Sequence, residues 1–253
     1  EEKLSETEDV DPFTTVAFDS DIEDNGDQVE AQYIHQKELI NFVLGAAYSD
    51  LDRDIRDQIL VTDIDLGPIF EIDETLDQEV EHWRGYAYVN VRPGGGAFDL
   101  TVGASFDDYK EGILEETVVN PKFGIQWYAS DQITVRAAAF KILKPLVVNN
   151  RTIEPTEVAG FNQFFDDING TKSWRYGVGT DWRIREGLTI GGEATRRELD
   201  EPLFRFFDEP PTTDYEERTE LLHRLFVYWT PRPRWGVTAE FKYDKFKADE
   251  GVL

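Results

Sequence analysis

The stretch SWRYGVGTDWRI (173–184) alternates between two chemistries from one residue to the next. In a β-strand, successive side chains point to opposite faces of the sheet. The apolar and aromatic set is Trp174, Tyr176, Val178, Thr180, Trp182 and Ile184, and the other set is Arg175, Gly177, Gly179, Asp181 and Arg183. In a soluble sheet the apolar face packs against a core, whereas in a membrane barrel it contacts lipid and the polar face lines a lumen. Both alternatives fit this stretch alone.

The same period of two recurs along the chain. It is clear in 97–109 (AFDLTVGASFDDY), 122–128, 187–197 and 235–243. It is weaker in 13–18, 28–36, 39–49, 79–92, 132–143 and 218–230. With the opening stretch, the pattern predicts about eleven strands. Many of them are close to the ten or so residues that a tilted strand needs to cross a bilayer.

The connections between these strands alternate between short and long. Short turns fall at 36–38, 93–96, 129–131, 185–187 and 231–234, and longer polar loops are predicted at 19–27, 50–78, 108–117, 144–172 and 199–217. An up-and-down meander with short periplasmic turns and long extracellular loops produces this alternation. A soluble sandwich has no reason to place every long loop at one end.

One predicted loop, 144–172, carries Phe161, Phe164 and Phe165 among asparagine and aspartate residues. Three arrangements are open for this loop. It folds inward as a constriction, contacts a partner outside, or packs on itself at the surface.

All six tryptophans fall near predicted strand ends. Trp127, Trp182, Trp229 and Trp235 lie beside short turns, and Trp83 and Trp174 lie where strands leave long loops. Membrane barrels carry such aromatic girdles at both lipid interfaces. The alternative is that these side chains cap the ends of a soluble core.

Strand parity bears on the size of the barrel. If the short turns are periplasmic, the first and last predicted strands both run outward, so eleven strands cannot close into an antiparallel barrel. Bacterial single-chain barrels have even numbers of strands. The sequence therefore predicts an all-β fold, an antiparallel up-and-down transmembrane β-barrel that is part of a larger, even-stranded one. An acidic N-terminal segment (1–12) precedes the barrel portion (13–253).

Composition excludes several classes of function. The chain has 26 basic and 52 acidic residues, a net charge of −26, which is a poor match for nucleic acid. Three segments, 1–27, 50–78 and 198–217, hold 25 of those 26 excess negative charges. The chain has no cysteine, and no run of about 18 apolar residues predicts a transmembrane helix.

No pattern of catalytic residues is present either. The sequence contains no Gly-x-Ser-x-Gly, His-Glu-x-x-His or P-loop element. Its three histidines, His35, His82 and His223, are scattered without metal-ligand spacing. The sequence therefore predicts a protein that is not an enzyme and has neither a cofactor nor a metal site.

Two segments resemble the TonB-dependent receptor-like and tetratricopeptide-repeat-linked groups of Gram-negative outer-membrane barrels. They are NPKFGIQWYASDQITVRAAAFKIL (120–143) and TIEPTEVAGFNQFFDDINGTKSWRYGVGTDWRI (152–184). The run 153–156 stands where these receptors have a Leu-x-Pro-Glu element, and 176–181 stands in the place of a Tyr-x-Gly-x-Asp strand. The first residues show no recognisable plug or TonB box, and the chain has no tetratricopeptide pattern. These motifs indicate architecture rather than cargo.

The resemblance implies a place in the bacterial outer membrane and the passage of a polar solute or polymer across it. The alternative is a structural anchor or scaffold whose loops or periplasmic partners carry the function. Expected partners are outer-membrane lipid, lipopolysaccharide, and a plug or repeat domain, periplasmic or in the same chain. Nucleic acid is not an expected partner.

If the apolar faces contact lipid, the charged residues of the strands face the lumen. The predicted lumen-lining residues are Arg84, Asp99, Arg136, Arg175, Asp181, Arg183, Glu193, Arg197, Glu240 and Lys242. Their mixed signs either form salt-bridge ladders that stiffen the wall or line a route for a polar solute.

Overall fold

A computed structural model describes residues 2–11, 14–63, 65–146, 152–163, 167–205 and 211–248. Its regular structure is almost entirely β-strand, with one short 3-10 turn at Gly94–Gly96. The strands are β1 (Glu2–Asp11), β2 (Thr14–Gln36), β3 (Ile40–Asp63), β4 (Gly67–Val91), β5 (Phe98–Glu111), β6 (Leu114–Tyr128), β7 (Ile133–Leu143), β8 (Glu157–Val158), β9 (Phe161–Asn162), β10 (Lys172–Arg185), β11 (Leu188–Arg205), β12 (Thr212–Arg232) and β13 (Trp235–Ala248). Within these ranges, no helix is long and apolar enough to span a membrane.

Eleven strands form one antiparallel sheet in the order β1 to β7 and then β10 to β13, while β8 and β9 pair separately as a small hairpin. Each strand lies beside the next one in this order, so the sheet is an up-and-down meander. Over the described residues the sheet is not closed, and β1 and β13 are its edges. The predicted all-β, antiparallel, up-and-down architecture is confirmed. The short connections at 37–39, 92–97, 129–132, 186–187 and 233–234 define the turn end of the sheet, and the opposite end is the loop end.

Most of the predicted long polar loops are wrong. The described residues of 19–27, 50–78, 108–117 and 199–217 belong largely to strands, whereas residues 144–146, 152–163 and 167–171 lie outside the eleven-stranded sheet. The alternation of a strand is present in this acid-rich region, since Leu51, Ile55 and Ile59 share one face of β3. The many acidic residues between them concealed it. Ladder hydrogen bonds continue through this region, and ion pairs such as Arg53 with Asp24, at 2.6 Å, join its strands.

The N-terminal strands also differ from the predicted ones. Residues 14–18 and 28–36, predicted as two strands, belong to a single strand, β2, and residue 13 lies outside the described residues. Residues 2–11, within the segment set apart as acidic, form β1 and pair with β2. The predicted number of eleven sheet strands therefore holds, although two of its members are assigned differently.

The two faces of the sheet are unlike. The inner face is defined as the one that the β8–β9 hairpin covers, and it holds two buried apolar clusters. One consists of Ala138, Phe140, Ile142, Val158, Ala159 and Phe161; the other, nearer the loop end, consists of Leu51, Val80, Tyr109, Leu114, Val118 and Leu143. The outer face exposes large apolar side chains instead, among them Val102, Phe123, Ile125, Tyr176, Val178 and Leu225. An apolar sheet face left uncovered over this width is the reverse of a soluble sandwich.

Candidate functional site

Residues 152–163, here called the inner strap, cross the inner face of the sheet from β2 to β10. At the β2 end, Thr152 Oγ1 and Ile153 N both donate to the Glu30 carboxylate, at 3.1 and 2.9 Å. Gln32 Nε2 donates to the Ile153 carbonyl at 2.8 Å. Since strands β3 to β7 lie between β2 and β10, the strap spans the width of most of the sheet.

The middle of the strap is fixed by a buried carboxylate, Glu154. Arg84 Nη1 donates to Glu154 Oε2 at 3.2 Å, and the Tyr88 hydroxyl donates to Glu154 Oε1. Lys122 Nζ lies 3.9 Å from the same Oε1 atom. A buried carboxylate is tolerated only when it is paired and hydrogen-bonded, and Glu154 meets both conditions.

The partner of Glu154, Arg84, belongs to a second buried charge centre at Asp107. Arg84 Nε donates to Asp107 Oδ1 at 2.8 Å, and His82 Nε2 lies 2.9 Å from the same oxygen. Asn120 Nδ2 and Ser105 Oγ donate to Asp107 Oδ2, at 2.7 and 3.2 Å. The centre joins β4, β5 and β6 and holds Arg84 in position toward the strap.

Two arginines hold the far end of the strap. Arg136 Nη1 donates to the Gly160 carbonyl at 2.6 Å, and Arg175 Nη1 donates to the Asn162 carbonyl at 2.9 Å. Both guanidinium groups also lie over the Phe161 ring, at 4.9 and 5.9 Å from its centroid. Cation–π contacts of this kind orient the ring against the wall.

Two glycines of the sheet, Gly124 and Gly177, leave room for the strap. A Cβ atom at Gly177 would lie 2.6 Å from the Phe161 ring, and one at Gly124 would lie 2.8 Å from the Ala159 Cβ. Both distances are shorter than side chains tolerate. Gly177 of the opening stretch therefore has a packing reason, which is the close approach of the strap.

Six charged side chains form a ladder of ion pairs across β7, β10, β11, β12 and β13. In order, the charge ladder consists of Asp181, Arg136, Glu193, Arg224, Glu240 and Lys242. Arg136 lies 3.1 Å from Asp181 and 2.9 Å from Glu193. Arg224 joins Glu193, at 3.3 Å, to Glu240, at 2.9 Å, and Lys242 lies 3.2 Å from Glu240. Five of these six residues are among the predicted lumen-lining set.

The other predicted lumen residues lie on the same inner face but outside the ladder. Arg84 and Arg175 contact the strap, as described above. Near the turn end, Asp99 pairs with Arg92 at 3.0 Å, and Arg183 Nη2 donates to the Asp131 carbonyl at 3.2 Å. Arg197 pairs with Asp167, and with Glu220 at 2.7 Å. That this face borders an aqueous lumen stays a prediction.

The six tryptophans all lie on the outer face, in two rows. Trp127, Trp182, Trp229 and Trp235 are at the turn end, while Trp83 and Trp174 lie farther along their strands toward the loop end. The Trp83 and Tyr48 rings are 4.3 Å apart, and the Trp174 and Tyr176 rings are 5.8 Å apart. Contact of these rows with lipid interfaces stays a prediction.

Several site residues were missed by the sequence prediction. Asp107, Lys122 and Arg224 have the same strand parity as the predicted residues, so the alternation was enough to find them. Glu154 lies in a connection without periodicity, and only the tertiary structure brings it to Arg84. Of the three phenylalanines noted in this connection, Phe161 is in the strap, and Phe164 and Phe165 lie outside the described residues.

No family model matches the sequence, and no curated protein matches it. Solved structures do match its fold. They include the ferric yersiniabactin uptake receptor FyuA from Yersinia pestis, with a TM-score of 0.66, 13% identity, and coverage of 98% of this chain and 38% of that one. The siderophore receptor PiuA from Acinetobacter baumannii matches with a TM-score of 0.60 and 13% identity, over 95% of this chain and 45% of that one. The alcaligin outer membrane receptor FauA from Bordetella pertussis matches with a TM-score of 0.54 and 14% identity, over 95% and 41%.

These neighbours define the class of fold, which is that of outer-membrane receptor barrels. At identities of 13–14%, the likeness concerns the fold and carries no function by itself. The chain spans less than half of the length of each of these three neighbours.

Proposed function

We propose that the chain forms part of the barrel wall of an outer-membrane transporter in a Gram-negative bacterium. This transporter passes a polar solute or polymer across the outer membrane. The separation of the two sheet faces carries the proposal. The outer face exposes large apolar side chains and carries two rows of tryptophan, whereas the inner face holds the charge ladder and the buried ion pairs that fix the strap. This distribution of side chains is stable when the outer face contacts lipid and the inner face contacts water.

The neighbours favour an iron chelate as the first cargo to test. FyuA is described as an uptake receptor for ferric yersiniabactin, and PiuA as a siderophore receptor. A comparable role for this chain also needs a part that closes and opens the lumen, such as a plug or repeat domain. Under this proposal the chain supplies binding and passage and no bond-breaking chemistry.

The anchor or scaffold alternative is supported by the charge ladder. Its members are engaged with one another and with the strap, so these charges stiffen the wall. A strap packed against the inner face also narrows any route along it. The passage proposal therefore requires that the strap leave a gap or move.

Two measurements separate these alternatives. A membrane barrel is soluble only in detergent and shows heat-modifiable mobility in gel electrophoresis, whereas a chain that stays monodisperse without detergent contradicts both alternatives. Conductance in planar bilayers then distinguishes passage from anchoring. If the barrel that contains this chain passes a polar solute, it should conduct ions when the strap detaches from the inner face. A barrel that shows no conductance, with the strap attached or detached, favours the anchor.

A further inference from the structure

Basic side chains are concentrated on one part of the outer face. Two neighbouring rows cross β7 and β10 to β13 at the level of Trp174, toward the loop end. Lys141, Trp174, Glu198, Thr219 and Lys247 form the first row, and Ala139, Tyr176, Arg196, Leu221 and Lys245 form the second. These rows, here called the basic band, hold four cations and one carboxylate in a chain whose net charge is −26.

The other half of the sheet has no such band. The row of Trp83 on β2 to β5 contains Val29, Tyr48 and Asp108 and no cation. Beyond the basic band, the next row outward contains Lys172 with Asp200 and Glu217, so the excess of cations is only two rows deep. A narrow basic zone at the level of an interface tryptophan fits the head-group layer of anionic lipids.

Small residues lie directly below two of these cations, toward the membrane centre. On β7, Ala139 and Ala137 follow Lys141 along the outer face, and their neighbours Phe123 and Tyr176 rise on either side. The strip forms the floor of a groove of about 650 Å³ that Arg196 also lines.

The second strip lies on β11. Ala194 and Gly192 follow Arg196 toward the turn end, and Val178 and Leu225 flank them. Val178, Gly192, Ala194 and Leu225 line a second groove of about 540 Å³. Both grooves have apolar floors, and Arg196 lines the larger of the two.

A polar recess adjoins the larger groove on the loop-end side. It has a volume of about 380 Å³, and Trp174 is part of its lining. The charged residues of the lining are the cations Lys141, Lys172, Arg196 and Arg218 and the carboxylates Glu198, Asp200 and Glu217. Arg196 lines both the recess and the larger groove, so a molecule with a charged head and apolar chains would contact both through one residue. The Arg196 guanidinium lies 2.8 Å from the Glu198 carboxylate, and both side chains are about half exposed. Exposed pairs of this kind are weak, so a phosphate can compete for the guanidinium.

We propose that the basic band and the two grooves bind a phosphorylated lipid of the outer leaflet. Its phosphate groups contact Lys141 and Arg196, and its acyl chains lie along β7 and β11. This inference rests on the proposed membrane function, because the grooves open onto the lipid-facing side. Charge complementarity selects this occupant over a second copy of the chain, since two copies of one basic band repel each other.

The test uses the whole chain in detergent and in vesicles, with diphosphorylated lipid A as the probe. Native mass spectrometry measures the apparent Kd. The double variant K141Q/R196Q should weaken binding at least about tenfold, because each charge-assisted contact to phosphate is lost. The control K37Q/K110Q removes the same charge outside the band and should change the Kd by less than about twofold. The native chain should bind dephosphorylated lipid A about tenfold more weakly.

A groove variant separates the lipid from free phosphate. Ala139→Phe fills the groove on β7 and should weaken lipid A binding while heat-modifiable mobility shows that the sheet remains folded. The proposal is overturned if dephosphorylated lipid A binds equally well, if the control weakens binding as much as the double variant, or if inorganic phosphate alone binds as tightly. Dimers that form through this face and disappear with Ala139→Phe, without any lipid preference, also overturn it.

Failure of this proposal is distinguishable from failure of the proposed function. A chain that does not insert into vesicles contradicts both. A chain that inserts and shows heat-modifiable mobility, but does not prefer lipid A over uncharged lipid, contradicts only the lipid site.

Discussion

Glu154 pairs with Arg84 at 3.2 Å although 70 residues separate them along the chain. This pair joins the inner strap to β4, and Asp107 holds Arg84 from the other side at 2.8 Å. The strap is therefore held by a buried ion pair that is itself positioned by a second one. Removal of Glu154 leaves a buried cation with one partner fewer.

The first prediction concerns this pair. Glu154→Gln should lower the free energy of unfolding by about 3 kcal/mol, because it leaves the buried cations Arg84 and Lys122 with one carboxylate fewer. It should also make the strap more susceptible to protease. Urea titration of the reconstituted protein measures the first effect and limited proteolysis the second. Glu157→Gln, an exposed position in the same strap, is the control and should have little effect; equal effects of both substitutions would contradict the role of Glu154.

The second prediction concerns the glycine under the strap. Gly177→Ala should destabilise the protein by about 1–3 kcal/mol, because the new Cβ would overlap the Phe161 ring. Combined with Phe161→Ala, the cost should be smaller than the sum of the two single changes. Unfolding titrations of the two single variants and the double variant measure this coupling. Gly85→Ala is a matched control, since no atom lies within 4 Å of its new Cβ. Additive costs at Gly177 and Phe161 would mean that the strap does not press on this strand.

The third prediction concerns the charge ladder. Arg136 contacts Asp181, Glu193 and the Gly160 carbonyl, so Arg136→Gln should lower stability and loosen the strap together. A double-mutant cycle with Glu193→Gln should give a coupling of about 1–3 kcal/mol. Arg183→Gln is the control, because this exposed side chain donates to the Asp131 carbonyl and lies outside the ladder. If Arg136→Gln changes ion selectivity and leaves stability unchanged, the ladder is a conduction path instead of a stiffening element.

The fourth prediction tests which face contacts lipid. Ile125 and Gln126 are adjacent on β6 and point to opposite faces. Ile125→Lys should lower the free energy of unfolding in vesicles by about 1–2 kcal/mol, because it places a charge on the lipid side between the Trp127 interface and the membrane centre. Gln126→Lys should cost much less, since its side chain faces the inner side. Refolding yield into vesicles and unfolding titrations measure the difference, and a larger cost at Gln126 would reverse the assignment of the two faces.

The fifth prediction concerns the tryptophan rows. Single-tryptophan variants should show the strongest fluorescence quenching by lipids brominated near the head groups, because the rings lie at the interfaces. Trp174 and Trp182 are at opposite ends of β10, and each should respond to bromine in a different leaflet. Variants that retain only Trp174 or only Trp182, in vesicles labelled in one leaflet, measure this. Quenching of both rings by the same leaflet would rule out two girdles.

Strand periodicity was sufficient to group the ten predicted charged residues on one face of the sheet. Arg84, Arg136 and Glu240 lie on the face that alternation assigned to them, because a period of two is a local property. The extensions of β2 to β4 were missed, since acidic residues on the other face masked Leu51, Ile55 and Ile59. The position of the strap was also not predictable. It depends on Glu154 meeting Arg84 and on Phe161 meeting Gly177, contacts between residues far apart in sequence.

The lengths of the strands give the loop end of the sheet a slanted rim. β2, β3 and β4 have 23, 24 and 25 residues, whereas β7 has 11. Because all four strands begin or end near the same level at the turn end, β2, β3 and β4 extend much farther toward the loop end than β7 does. The tall side carries much of the negative charge of the chain, and its field extends about 10 Å into solution at moderate ionic strength. If the chain carries the proposed passage function, we expect this acidic side of the rim to attract cations more readily than anions of the same size.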